Sequence, residues 1–323
     1  MATTTTKRKS TAASTRKKTT TKKKTTTKAA STKSKSTSKK TTTKKTTAKK
    51  AAPVKAEAKS TKTSKRDIFT RLNIWNWVMA GLHFVQGVLV LVLSRSDSLF
   101  PVTTNFITQD QLASTEGAPV LVQAQRSLFD INLAYLVAAF FFLSSLAHLY
   151  IATIGRKKYN AQLKDGMNKT RWYEYSASAS VMMVAIAMLS GVSDASTLLM
   201  IFGATAVMNL CGLIMEVHNQ TTKKTNWLSF VVGTIAGLGP WAVVGLYFWG
   251  ANQYGSGDIP SFVYWIYVSI FIFFMSFAVN MWLQYRGKGK WSDYLYGERA
   301  YMILSLVAKS ALAWQIFAGT LRP

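Results

Sequence analysis

Seven runs of about 20 mostly apolar residues occupy the chain from position 75 onward, each long enough to cross hydrocarbon as a helix. They cover 75–94, 131–153, 172–190, 197–215, 227–249, 261–283 and 300–320. A soluble bundle would give its helices polar outer faces. Stretches such as 89–93 and 140–143 instead place apolar side chains all the way round. The pattern predicts an all-α membrane protein, a bundle of seven transmembrane helices. Short polar connections join most of the runs, and residues 95–130 form the one long loop. Composition there favours strands at 102–106 and 120–123.

Charge divides the chain in two. Residues 1–66 hold 23 of the 40 Lys and Arg, a single acid, Glu57, no aromatic residue, and Val54 as the only branched aliphatic one. Such a stretch buries no core, and its lysines repel one another. It is therefore read as a disordered basic tail ahead of a membrane domain at 67–323. The remaining 257 residues carry only +5 of the total +27. Cys211, inside the fourth run, is the only cysteine, which excludes an intrachain disulfide.

Lys and Arg in the connections set the orientation. Arg156, Lys157, Lys158, Lys164, Lys169, Arg171, Lys223, Lys224, Arg286, Lys288, Lys290 and Arg299 fall on one side, against Arg95 and Arg126 on the other. The positive-inside rule puts the amino terminus in the cytoplasm and the carboxyl terminus outside the cell.

Against this background Lys309 is costly, since a charged side chain at the centre of a spanning helix costs at least about 2.5 kcal/mol. It has one strong candidate for a buried partner, Glu174, in Arg171-Trp172-Tyr173-Glu174-Tyr175 of the third run. Arg171 and Glu174 share a helix face at a spacing of three. Other polar groups at membrane depth are His83 and Gln86 on the first run, His148 on the second, Glu216 and His218 closing the fourth, Asn280 on the sixth, and Ser305 one turn before Lys309. All are expected to face the bundle interior.

A lysine opposite a carboxylate in a dry cage suits one kind of covalent chemistry. The amine condenses with an aldehyde, and the resulting iminium needs an acid beside it to hold its proton. A salt bridge that only fixes packing, or a lysine reaching to the surface, fits the same residues. Tyr264, Trp265 and Tyr267 on the sixth run and Trp314 on the seventh are candidate walls for a chromophore. Spacing raises one difficulty: Glu174 lies about 10 Å from the middle of its run, whereas Lys309 is central in its own. The two meet if the third helix starts early, near Gln162, with sheltered first turns, or if Lys309 reaches toward the cytoplasmic side, and both are expected.

The chain resembles the heliorhodopsins, retinal-binding seven-helix proteins with inverted membrane orientation. The resemblance rests on Leu72-Asn73, His83-Phe84-Val85-Gln86-Gly87, His148, the segment from Arg171 to Ser180, and Ser305-Leu306-Val307-Ala308-Lys309. It spans roughly 66–320 and excludes the Lys/Thr tail. It implies all-trans retinal held by Lys309 as a protonated Schiff base, Glu174 as counterion, and Ser305 beside the linkage. His83 and His148 would join a polar network on the cytoplasmic side, and the long loop would form a hairpin with dimer contacts.

A one-way pump needs acids on both sides of the Schiff base. Here the outer half has few ionisable groups, with Asp130, Asp194 and Asp258 at the rim or in loops. That favours a sensory or regulatory photoreceptor, not an enzyme, whose signalling partner the sequence does not name. The alternative is passive light-triggered proton transport along Glu216, His218 and Asn280. A structural protein without a chromophore, anchoring nucleic acid by its tail, would leave Lys309 free. The tail's lysines suit anionic lipid or nucleic acid, and its Ser and Thr offer phosphorylation sites.

Overall fold

The computed structural model of the protein describes residues 55–257, 259 and 261–322. Most of the tail reading, 1–54, lies outside the described residues, as does Asp258. The first helix, α1 (Lys55–Leu93), begins inside the stretch expected to be irregular. Half of residues 55–66 are Lys, Arg or Glu, good helix formers, and adding turns to an existing helix avoids the cost of nucleating one.

A hairpin follows, β1 (Leu99–Gln109) and β2 (Leu121–Asn132), antiparallel and longer than composition suggested. The long helices are then α2 (Leu133–Ala152), α4 (Lys169–Leu189), α5 (Ala195–His218), α6 (Leu228–Tyr254), α7 (Ser261–Arg286) and α8 (Tyr294–Ile316), with a short α3 (Arg156–Lys164) before α4. One π-helical turn, Phe317–Leu321, closes the chain by accepting the Arg95 N–H on the Leu321 carbonyl at 2.9 Å.

Among the described residues six helices are long and apolar enough to span a membrane: α1, α2, α5, α6, α7 and α8. The protein is a multi-pass helical membrane bundle. Helix α4, of 21 residues, is more polar, with Lys169, Arg171, Glu174 and three serines in its first twelve positions. It packs against α2 and α5 and is enclosed, with Tyr173 its only exposed residue. Around it α1 lies on α2, α6 on α5, and α7 on α8, while α8 closes onto α1 and α2.

Helix α4 does not start near Gln162, which belongs to α3. The chain turns at Gly166, whose φ of +69° is in the left-handed region, and Asn168 then caps α4 by accepting the Arg171 N–H at 3.1 Å. The expected shelter of its first turn is present, since Arg171 and Trp172 are buried.

The hairpin docks through the connection between α4 and α5. Thr103 N–H donates to the Ser193 carbonyl at 2.8 Å, and the Asn105 amide donates to Asp194 Oδ1 at 3.3 Å. Asp194 also caps α5, accepting from the Thr197 N–H at 2.8 Å and its hydroxyl at 2.9 Å. Hydrogen bonds from the Ser196 hydroxyl and the Thr197 backbone hold the Asp194 carboxyl below its ordinary 3.8. The stabilisation is thus complete above that value and is lost as pH falls through the lowered one. Asp194→Ala is expected to weaken the start of α5 by about 1 kcal/mol and to speed amide exchange in both the hairpin and the first turn of α5. Exchange unchanged in the hairpin would show that Asp194 does not hold it.

Candidate functional site

Lys309 and Glu174 meet. Nζ lies 3.2 Å from Glu174 Oε1 and donates to Ser305 Oγ at 2.8 Å, one turn back along α8. Their side chains are 3% and 7% exposed, so water does little to screen the pair. Leaning back over Ser305 brings the ammonium toward the start of α8, as helical side chains do, and within reach of Glu174. The Ser144 hydroxyl on α2 donates to the same Glu174 oxygen at 2.6 Å and fixes the carboxylate. Nζ also lies 5.1 Å from the centre of the Tyr175 ring, a cation–π distance.

A cavity of about 130 Å³ adjoins the amine, bounded by α4, α5, α6, α7 and α8. Tyr175, Met183, Met208, Trp241, Phe274 and Leu312 form much of its wall, and Lys309 is the only charged residue lining it. Gly212 keeps one side open: a Cβ there would come within 2.4 Å of the Trp172 ring, forcing that ring to move.

Tyr264, Trp265 and Trp314 do not line this cavity. Trp265 is 72% exposed, and Tyr264, 38% exposed, stacks edge-on with Phe248 and bonds to Asn252. Trp314 donates to Gln86 Oε1 at 3.2 Å. Tyr267 donates to Ser190 Oγ at 2.6 Å. The inward face of α7 is set by Ile270, Phe273, Phe274 and Phe277, at helical spacing, while the aromatic residues nearer its start sit where a membrane's polar boundary favours them.

On the other side of Glu174 lies a polar set. His148 Nδ1 is 2.8 Å from Asn76 Oδ1, and the His148 ring stacks at 5.8 Å on His83. His83 is fully buried, with neither ring nitrogen bonded among the described residues.

Arg171 does not pair with Glu174 despite the shared face. It reaches Glu216 on α5 and Glu298 on α8 instead, forming two ion pairs. Glu216, near the end of α5, is 1% exposed and faces the bundle interior. Glu298 is the residue that sequence reading missed; it lies just ahead of the run drawn at 300–320, beside Arg299, and reads as part of a charged connection. His218 is exposed at the end of α5. Asn280 is buried, donating to the Gly297 carbonyl at 3.2 Å and accepting from Trp291 Nε1 at 2.9 Å, so it ties α7 to the start of α8.

The chemistry of this donor set fits retinal. It offers an amine, a fixed carboxylate beside it, and an apolar, aromatic cavity opening onto the same amine. Comparison with curated proteins returns no match. Comparison with protein families gives Heliorhodopsin over residues 72–321, which takes in every residue of the site and most of the described chain. This protein therefore belongs to the heliorhodopsin family, light-absorbing, non-enzymatic retinal proteins of the membrane.

Proposed function

We propose that the chain is a sensory or regulatory photoreceptor in which all-trans retinal is joined to Lys309 as a protonated Schiff base with Glu174 as its counterion. The observation that carries this is the buried 3.2 Å pair of Lys309 and Glu174 at the edge of an apolar cavity. When bound, retinal supplies visible absorption and a light-driven change of shape. Glu174 neutralises the cation at residue 309, and Ser144 holds the carboxylate in place. Ser305 accepts a hydrogen bond from the nitrogen and fixes its direction, while the Tyr175 ring faces the positive charge. His83, His148 and Asn76 form the polar surroundings on the far side of Glu174.

The geometry favours a receptor over a proton conductor. Glu216 is engaged by Arg171, the Asn168 N–H at 2.8 Å and the Tyr294 hydroxyl at 3.0 Å. His218 is exposed, and Asn280 is committed to helix contacts. In this reading α4 is the seventh span, made tolerable by its enclosure. The basic connections and the amino terminus lie in the cytoplasm, and the carboxyl terminus lies outside. Exposed Ile107, Leu121, Leu128 and Phe129 on the hairpin support a homodimer contact. The basic tail contacts polyanions, either anionic lipid headgroups or nucleic acid.

Lys309→Ala purified from cells supplied with all-trans retinal is expected to lack the visible band, and an unchanged band would overturn the assignment. Glu174→Gln is expected to lose its band at a lower pH than the wild type, because the cation has lost the anion that stabilises it. A spectral pH titration decides this, and identical titrations would remove Glu174 as counterion. Illumination under voltage clamp is expected to give no steady current; one that follows the proton gradient would make the protein a conductor. Deleting residues 2–54 is expected to leave the absorption band in place and to weaken binding to anionic vesicles.

A further inference from the structure

Arg171, Glu216 and Glu298 form a buried group whose charges do not balance. One guanidinium faces two carboxylates that are 1% and 2% exposed, so the set carries a net negative charge unless one acid holds a proton. The remaining polar neighbours are neutral donors. Asn168 gives its backbone N–H to Glu216 at 2.8 Å and its side-chain amide to Glu298 at 2.8 Å. Tyr159 on α3 donates to Glu298 at 3.1 Å, and Tyr294 on α8 donates to Glu216 at 3.0 Å. Tyr301 on α8 lays its ring against the guanidinium at 4.0 Å, and Tyr285 on α7 donates to the Met215 carbonyl nearby. Lys309, the other buried cation, pairs with Glu174 instead.

A second, smaller cavity of about 20 Å³ lies between this group and the Lys309 site. His148 and Glu174 line it together with Asn168, Arg171, Glu298 and Tyr301; Glu216 does not. Its volume suits one water molecule, and its lining offers the two to four polar partners a buried water needs. The two carboxylates of the group are therefore not equivalent, since Glu298 faces the passage toward Glu174.

We propose that Glu298 is a proton-holding site, linked to Glu174 by a single water in the cavity between them. A proton on the Glu174 carboxyl passes to that water as the water gives one of its own to a Glu298 oxygen. Glu174 ends ionised, Glu298 neutral, and the water unchanged. The transfer leaves Arg171 balanced by Glu216 alone, and it moves a proton about the length of one hydrogen-bonded relay without carrying it across the membrane. The proposal rests on the reading of Glu174 as counterion for the source of the proton. The site itself exists without retinal and is measured without it.

The test is infrared spectroscopy of the carboxylic C=O stretch. Retinal-free wild type in detergent, titrated with acid, is expected to show a buried carboxylic acid band that disappears in Glu298→Gln and persists in Glu216→Gln. In retinal-loaded protein the light-minus-dark spectrum is expected to gain the same band, and Glu298→Gln is expected to lack it. Glu298→Asp keeps an acid in place and should shift the band, which covers the case of a glutamine variant that does not fold. A titrating band untouched by either Glu298 substitution overturns the site. A band present in the dark titration but missing from the light difference overturns the link to Glu174, while the counterion reading stands or falls separately on the visible titration of Glu174→Gln.

Discussion

An apolar bundle tolerates a charge only beside its opposite, and the arrangement of α4 and α8 follows from that constraint. Each helix brings one cation and one anion into the buried ion pairs. Arg171 of α4 pairs with Glu298 of α8, and Lys309 of α8 pairs with Glu174 of α4. The spacings do not match: three residues separate the α4 charges, about 4.5 Å of rise, and eleven separate those of α8, about 16 Å. Two long cationic side chains absorb the difference. Lys309 leans back over Ser305, and Arg171 spreads its two terminal nitrogens across acids on different helices. A lysine and an arginine in the opposite roles would fit less well, because only the planar guanidinium presents two nitrogens at a fixed angle.

Such pairs are poor devices for stability alone. Replacing a buried ion pair with packed apolar residues is often neutral or favourable, whereas removing one partner costs about 3–5 kcal/mol. Keeping two adjacent ionic sites in one membrane bundle is therefore best explained by what the charges do. The two sites also have different surroundings. Lys309 opens onto an aromatic cavity, whereas Arg171 is closed in by the rings of Trp172 and Tyr301 at 4.9 and 4.0 Å. The Tyr175 hydroxyl, donating to the Tyr301 carbonyl at 3.1 Å, joins α4 to α8 between them.

Much of this was legible in the sequence where the signal is one-dimensional. Apolar run length located the long helices, and the cost of burying Lys309 singled out that residue and its acid. The rest depended on information that a linear pattern does not hold. The spacing of three put Arg171 and Glu174 on one face but gave no partner for the arginine, whose acids lie on α5 and α8. Glu298 lay just outside an apolar run and beside Arg299, so nothing marked it as buried. The aromatic residues near the start of α7 were conspicuous by type, yet their positions around the helix, rather than their chemistry, decide which line the cavity. The early start assumed for the third helix failed at Gly166 and Asn168, where turn and cap chemistry outweighed the continuing helical pattern of α3.

Helix α4 shows how hydropathy and function are reconciled. Unlike the other six long helices it lacks a membrane-length apolar stretch, because it carries Arg171, Glu174 and the serines at 176, 178 and 180. A helix of that composition facing lipid would expose groups that hydrocarbon cannot satisfy. Its neighbours remove the problem, leaving only Tyr173 exposed, while Ser180 bonds back to the Ser176 carbonyl at 2.7 Å. The neighbouring helices turn their few buried polar groups, Glu216, Glu298 and Lys309 among them, toward the enclosed one. A polar helix at the centre and apolar helices at the rim are thus two sides of one solution, and small residues at 177, 178, 179 and 180 let the surrounding helices approach closely enough to seal it.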